Sequence, residues 1–263
     1  MDLGLTGKRV LITGASKGLG YATARALALE GAQVAMNSSS EANITAAADR
    51  LRQETGETIV PFVGDVTDPA VTASLVSQTV DALGGLDILI TNAGGPPAGA
   101  FESFDEATWQ HAIELSFMSH VRLIRAALPA LRQSDAASVL TITSISVKQP
   151  IANLVLSNSI RAATVGLTKT LSLELGEDRI RFNSILPSWT ETERVYNLMS
   201  HRAEVNGTTM EEEMRAQSAR VPLGRMGRPE EFANVAAFLV SPASSYLNGV
   251  MLSVDGGGYG GLL

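Results

Sequence analysis

Cysteine is absent from the 263-residue chain, which excludes disulfides, thiolate nucleophiles and cysteine-ligated metals. Histidine is almost absent: His111, His120 and His201 are scattered without metal-ligand spacing, so no metal site is expected. Charged residues make up only 18% of the chain and carry a net charge of -7, which removes any electrostatic basis for binding nucleic acid or an anionic membrane. No apolar run approaches the ~20 residues needed to span a bilayer. The first residues, with an acidic side chain at Asp2, show no apolar leader core, and a soluble cytoplasmic protein is expected.

Apolar residues, by contrast, make up 45% of the chain, with a mean hydropathy of +0.13. Such richness suits strands buried on both faces of a parallel sheet. Short β-branched runs at 9–13, 33–37, 59–64, 86–91, 138–143, 180–186 and 250–254 predict seven strands. Helical spacing of apolar residues recurs between them, at 19–30, 41–54, 69–83, 104–131, 158–175 and 229–239. The alternation predicts a single α/β domain over 1–263, a doubly wound parallel sheet with helices on both faces. Only 188–221 breaks the rhythm with polar and charged residues, and it reads as a lid carrying one or two helices beyond a strand end.

The first strand runs directly into Thr13-Gly14-Ala15-Ser16-Lys17-Gly18-Leu19-Gly20, which opens the first helix. Glycines at such a turn let the backbone approach a pyrophosphate closely, with free N–H groups and the helix dipole facing it. The spacing G-x-x-x-G-x-G, with Asp65-Val66 after strand three, Asn92-Ala93-Gly94 after strand four, Pro187 after strand six and Val254-Asp255-Gly256-Gly257 near the C-terminus, resembles the short-chain dehydrogenase/reductase family from end to end.

The resemblance implies a Rossmann fold holding a nicotinamide dinucleotide. Gly14, Ser16, Lys17, Gly18, Leu19 and Gly20 would then cradle the pyrophosphate. Asp65 and Val66 would lie along the adenine, Asn92, Ala93 and Gly94 beside the cofactor on the central strand, and Thr190 after Pro187 near the nicotinamide amide. The second strand ends in Asn37-Ser38-Ser39-Ser40 with no carboxylate to repel a 2′-phosphate. The hydroxyls of Ser38 and Ser39, with Lys17, therefore favour NADP(H) over NAD(H).

The family reduces carbonyls with an Asn, a Ser, a Tyr and a Lys, the last two four residues apart on one helix. Ser144 fits the serine, but the tyrosine position falls on Ser157, the lysine position on Arg161 and the asparagine position on Ser116. An aliphatic hydroxyl is a far weaker acid than a phenol, and a guanidinium keeps its proton, so the usual relay is not expected here. Arg161 retains the means to clamp a cofactor ribose or a substrate anion. Replacement proton donors in the sequence are Lys148, His120 and, in the lid, Tyr196.

Overall similarity is greatest to 3-oxoacyl reductases. Asp135 and Asp178, beside Arg132 and Arg179, put mixed charge where a carrier-protein reductase presents basic residues. On the family's plan Ile151, Leu154, Val155, Leu156, Trp189 and Met199 line the pocket mouth, which suits an apolar carbonyl compound or alcohol. A homotetramer or homodimer is expected, with Leu262-Leu263 and the Ala-rich helix after Arg161 at its surfaces. Two functions remain open: an NADP(H)-dependent oxidoreductase acting on a 3-oxoacyl-like carbonyl or secondary alcohol through an altered relay, or a weak or inactive NADP(H)-binding sensor or partner protein. A lyase or hydratase is the third choice.

Overall fold

Strand runs rich in Val, Ile and Leu, with no polar face, can be buried only between two layers of helices. The computed structural model describes residues 1–262; Leu263, expected at an assembly surface, lies outside them. Among the described residues, β1 (Arg9–Ile12), β2 (Gln33–Ser38), β3 (Ile59–Val63), β4 (Ile88–Thr91), β5 (Ser138–Ile142), β6 (Arg181–Pro187) and β7 (Met251–Val254) form one sheet. Its order is β3-β2-β1-β4-β5-β6-β7, and every pairing is parallel.

Alternation along each strand separates two cores. Val10, Ile12, Val34, Met36, Ile88 and Ile90 face α1 (Gly18–Leu29), α2 (Glu41–Thr55) and α9 (Pro229–Val240). Leu11, Ala35, Leu89 and Val139 face α3 (Pro69–Leu83), α5 (Ser119–Leu131) and α6 (Val155–Glu174) on the other side. The helix signals act as read: Asp68 caps α3 through Ala70 N with Pro69 in the first turn, and Gly84 ends it at φ 76°.

Two boundaries differ from the sequence expectation. The helix expected over 104–131 divides into α4 (Glu106–Ile113), a π-helical turn (Glu114–Met118) and α5. Helical spacing alone does not register the extra residue of a π turn. Helix α6 begins at Val155 rather than 158, which places Ser157 in its first turn. The stretch 188–221 carries α7 (Glu193–Asn206) and α8 (Met210–Ser218), anchored by an apolar cluster of Val195, Met199 and Met226. Among the described residues, no helix is long and apolar enough to cross a membrane.

At the N-terminal edge of the sheet, Asp87 is 3% exposed and accepts hydrogen bonds from Arg9 N, Nε and Nη2 and from Ser134 Oγ. Burial alone would raise its pKa, but these bonds outweigh it and hold the carboxyl at about 2. A depressed acid stabilises the fold above its unfolded pKa and loses that contribution as pH falls through the folded one. Asp87→Asn is therefore expected to cost about 2 kcal/mol at pH 7 in urea unfolding, from the ~1.36 kcal/mol per pKa unit. That gap should close as pH falls from about 4 to about 2.

Candidate functional site

The sheet order reverses between β1 and β4, so the segments leaving their C-terminal ends diverge to opposite faces and open a crevice. Thr13 Oγ1 donates to Asn92 O at 2.7 Å and accepts from Asn92 N at 3.0 Å. Asn92 Nδ2 then donates to Gly14 O at 3.0 Å, which pins the glycine turn. A Cβ on Gly20 would lie 2.2 Å from Gly14 O, so only glycine allows the turn to close on the helix.

Helix α1 starts without a side-chain cap and without an acidic residue in its first turn, unlike α2, α3, α4 and α8, whose N-caps are all bonded. The N–H groups of Gly18, Leu19 and Gly20 precede its first helical bond, Tyr21 N to Lys17 O. They are donors for an anion at the crevice.

A cleft of about 680 Å³ runs over this turn, lined by Gly14, Ser16, Lys17, Gly18 and Leu19, by Ser38 and Ser39, by Asp65 and Val66, and by Asn92, Ala93 and Gly94. Apart from Gly20, packed beneath the turn, the sequence-predicted residues from the glycine loop to Gly94 are thus brought together. Ser38 Oγ accepts from Ser16 Oγ at 3.0 Å, while Asn37 is turned inward to the carbonyls of Phe62 and Gly64. Asp65 caps its own turn, accepting from Thr67 N and Oγ1. Lys17 Nζ pairs with Glu193 Oε2 at 2.7 Å, across the mouth to the start of α7.

An inner pocket of about 210 Å³ continues from the cleft and is lined by Ser144, Ser157, Arg161, Pro187 and Thr190. Ser144 caps a short turn after β5, accepting from Ser146 N, and Ser146 Oγ lies 3.4 Å from Ser157 Oγ. One helical turn beyond Ser157, Arg161 is buried and its Nη1 donates to Ile142 O and Thr143 O at 3.1 and 3.2 Å. Burial first, then the cation of Arg194, pushes the guanidinium pKa down to about 10, which leaves it charged near neutrality.

Other sequence-predicted residues lie elsewhere. Ser116 is buried in the π turn; its carbonyl accepts from Thr164 Oγ1, and its hydroxyl has no partner among the described residues. Lys148 Nζ sits 5.3 Å from the centroid of the Tyr259 ring and does not line the pocket. His120 is buried with Nδ1 2.6 Å from Thr91 Oγ1, and burial, with Arg161 nearby, lowers its pKa to about 3. Tyr196 is exposed. Ile151, Leu154 and Trp189 line the inner pocket, whereas Met199 and Leu156 pack into separate apolar clusters.

Thr192, Arg194 and Leu198, which were not among the expected site residues, line both cavities from the start of α7. Arg194 donates to the carbonyls of Gly95 and Pro96 and so ties the start of α7 to the loop after β4. Only the charge of Arg194 beside Trp189 and Thr190 marked it in the sequence.

Residues 14–258 match the family model described as enoyl-(acyl carrier protein) reductase. The chain is 30% identical over 257 residues to a 3-oxoacyl-acyl-carrier-protein reductase of Vibrio cholerae, spanning 98% of this chain and 99% of that one. It is 31% identical over 259 residues to the 7alpha-hydroxysteroid dehydrogenase of Escherichia coli, spanning 98% and 96%. The solved L-sorbose reductase from Gluconobacter frateurii, complexed with NADPH and L-sorbose, superposes with a TM-score of 0.95 at 31% identity over 100% of both chains. Actinorhodin polyketide ketoreductase with NADPH gives 0.90 at 29% identity, covering 95% of this chain and 97% of that one.

The glycine geometry is directly testable. Gly20→Ala is expected to cost about 1–3 kcal/mol in chemical denaturation, the usual range for overpacking. Gly94→Ala, where a Cβ would meet nothing within 4 Å, should unfold within about 0.5 kcal/mol of the native protein.

Proposed function

This chain belongs to the short-chain dehydrogenase/reductase family of oxidoreductases, and from that premise we propose that it reduces a carbonyl, or oxidises the matching secondary alcohol, with NADP(H) and without the family's tyrosine–lysine relay. The observation that carries the reading is the joined pair of cavities. One is built around the uncapped end of α1 and the clasped glycine turn, the other around Ser144, Ser157 and Arg161.

The fit of a dinucleotide rests on those donors: Gly18 and Leu19 present backbone N–H groups to a pyrophosphate. When bound, the reduced nicotinamide supplies a hydride. Ser144 and Ser157 hydroxyls hold the carbonyl oxygen, and the Arg161 cation stabilises negative charge as it develops there. Among the described residues lining the inner pocket there is no Tyr, His, Lys, Asp or Glu, so the proton reaches that oxygen from water.

Selectivity for NADP(H) is supported by the absence of a carboxylate at the end of β2 and by Lys17 at the rim. The Lys17–Glu193 pair is exposed, 63% and 60% for the two side chains, and exposed pairs contribute only about 0.2–1 kcal/mol. A 2′-phosphate can therefore replace Glu193 as the partner of Lys17 at little cost.

The lack of any acid in the inner pocket also favours a second reading, a dinucleotide-binding protein with little or no turnover. Cofactor titration paired with NADPH consumption across a panel of ketones and aldehydes separates the two. The proposed enzyme consumes NADPH, and Lys17→Ala weakens NADPH binding about tenfold, some 1.4 kcal/mol, while leaving NADH unchanged. Tight NADPH binding without consumption, with activity appearing only in the Ser157→Tyr/Arg161→Lys double variant, would establish the binding protein instead. Tighter binding of NADH than NADPH would overturn the selectivity.

A further inference from the structure

Arg161 is 7% exposed, and among the described residues it forms no ion pair. Its hydrogen bonds are the two that Nη1 donates to the carbonyls of Ile142 and Thr143. A guanidinium has five N–H donors, so Nε–H and both Nη2–H groups lack a partner among the described residues. Neither atom is among the buried polar atoms sealed without a partner, and Arg161 lines the inner pocket. A buried cation is costly unless an opposite charge meets it.

The described residues do not supply that charge. Among the described residues lining the inner pocket there is no carboxylate, and the second ionised side chain there is another cation, Arg194. The excess is local, because the chain as a whole carries -7. The pyrophosphate is not the missing partner, since Arg161 is absent from the lining of the larger cleft where the glycine turn lies.

Position narrows the class of anion. The guanidinium is held at the carbonyl of Thr143, next in the chain to Ser144, and stands one helical turn beyond Ser157. An anion on its free edge would thus share the pocket that Ser144 and Ser157 line. We infer that the inner pocket takes a 2-oxo or 2-hydroxy carboxylate, its carboxylate on Arg161, its 2-oxygen toward Ser144 and Ser157, and its short apolar chain against Ile151, Leu154 and Trp189. Carboxylate and guanidinium match in a fork of two parallel hydrogen bonds, which a lysine at this position does not provide.

The substrate class rests on the oxidoreductase reading above. Reduction adds a hydride to the 2-oxo carbon and a proton from water to its oxygen, giving the 2-hydroxy acid, with reduced nicotinamide as the two-electron donor. The binding site itself stands without that reaction.

The test is calorimetric titration of 2-oxohexanoate and 2-hexanone, which differ by the carboxylate, onto the protein with and without NADP+. The acid is expected to bind at least thirtyfold tighter than the ketone in both cases. Arg161→Met should abolish the difference, and Arg161→Lys should keep part of it, with circular dichroism confirming that each variant is folded. Equal binding of acid and ketone to the native protein overturns the inference, as does an acid preference that survives undiminished in both variants. Should neither variant fold, the comparison on the native protein decides. Failure of NADP+ to bind would count against the cofactor reading alone, because the titrations without it still measure the anion site.

Discussion

The structure turns on the clasp between Thr13 and Asn92. Parallel strands β1 and β4 are neighbours, yet the chain leaves them toward opposite faces, and beyond the bond from Thr13 N to Ile90 O no strand pairing among the described residues holds the two exits together. Two hydrogen bonds between the buried Thr13 hydroxyl and the Asn92 backbone, and a third from the Asn92 amide to Gly14, do so. The clasp sets the height of the glycine turn, and the turn in turn aims the uncapped end of α1 along the crevice. The larger cleft and the inner pocket share Leu19, Asn92, Ala93, Gly94 and Gly95, so one error at this point would misplace both.

Beyond the clasp the site is made of hydroxyls and a fixed cation. A phenol–ammonium pair moves a proton, whereas on the proposed reading Ser144, Ser157 and Arg161 would orient an oxygen and balance charge. The side chains expected from the sequence as substitute proton donors, His120 and Lys148, are engaged elsewhere. His120 is held neutral against Thr91, and Lys148 lies over an aromatic ring. Charge stabilisation without a resident acid is consistent with a slow reductase and equally with a binding protein. Either way, Arg161 is the side chain whose burial most needs a ligand to account for it.

Much of this was legible in the chain. The strands announced themselves because a sheet covered on both faces leaves no polar alternation to confuse them. Asp68-Pro69 and Gly84 marked the ends of α3 by cap chemistry that acts within four residues. The crevice residues were found because Gly14, Gly18 and Gly20 mark a turn that other residues resist. What escaped depends on contacts far apart in sequence. The π turn shifts Ser116 by one residue without altering the apolar spacing around it. Arg194 reaches the crevice only because α7 folds back to Gly95, 99 residues away. Lys148 looked close to Ser144 because it is close in sequence, but the short turn after β5 directs it toward Tyr259.

The most direct test of this account is a fluorescence titration of NADPH against the native protein and the Asn92→Ala variant. The native protein should saturate at micromolar NADPH, and the variant, folded but with its glycine turn released from β4, should bind at least tenfold more weakly, about 1.4 kcal/mol. Equal affinity in the two proteins, or no saturation of the native one, would contradict it.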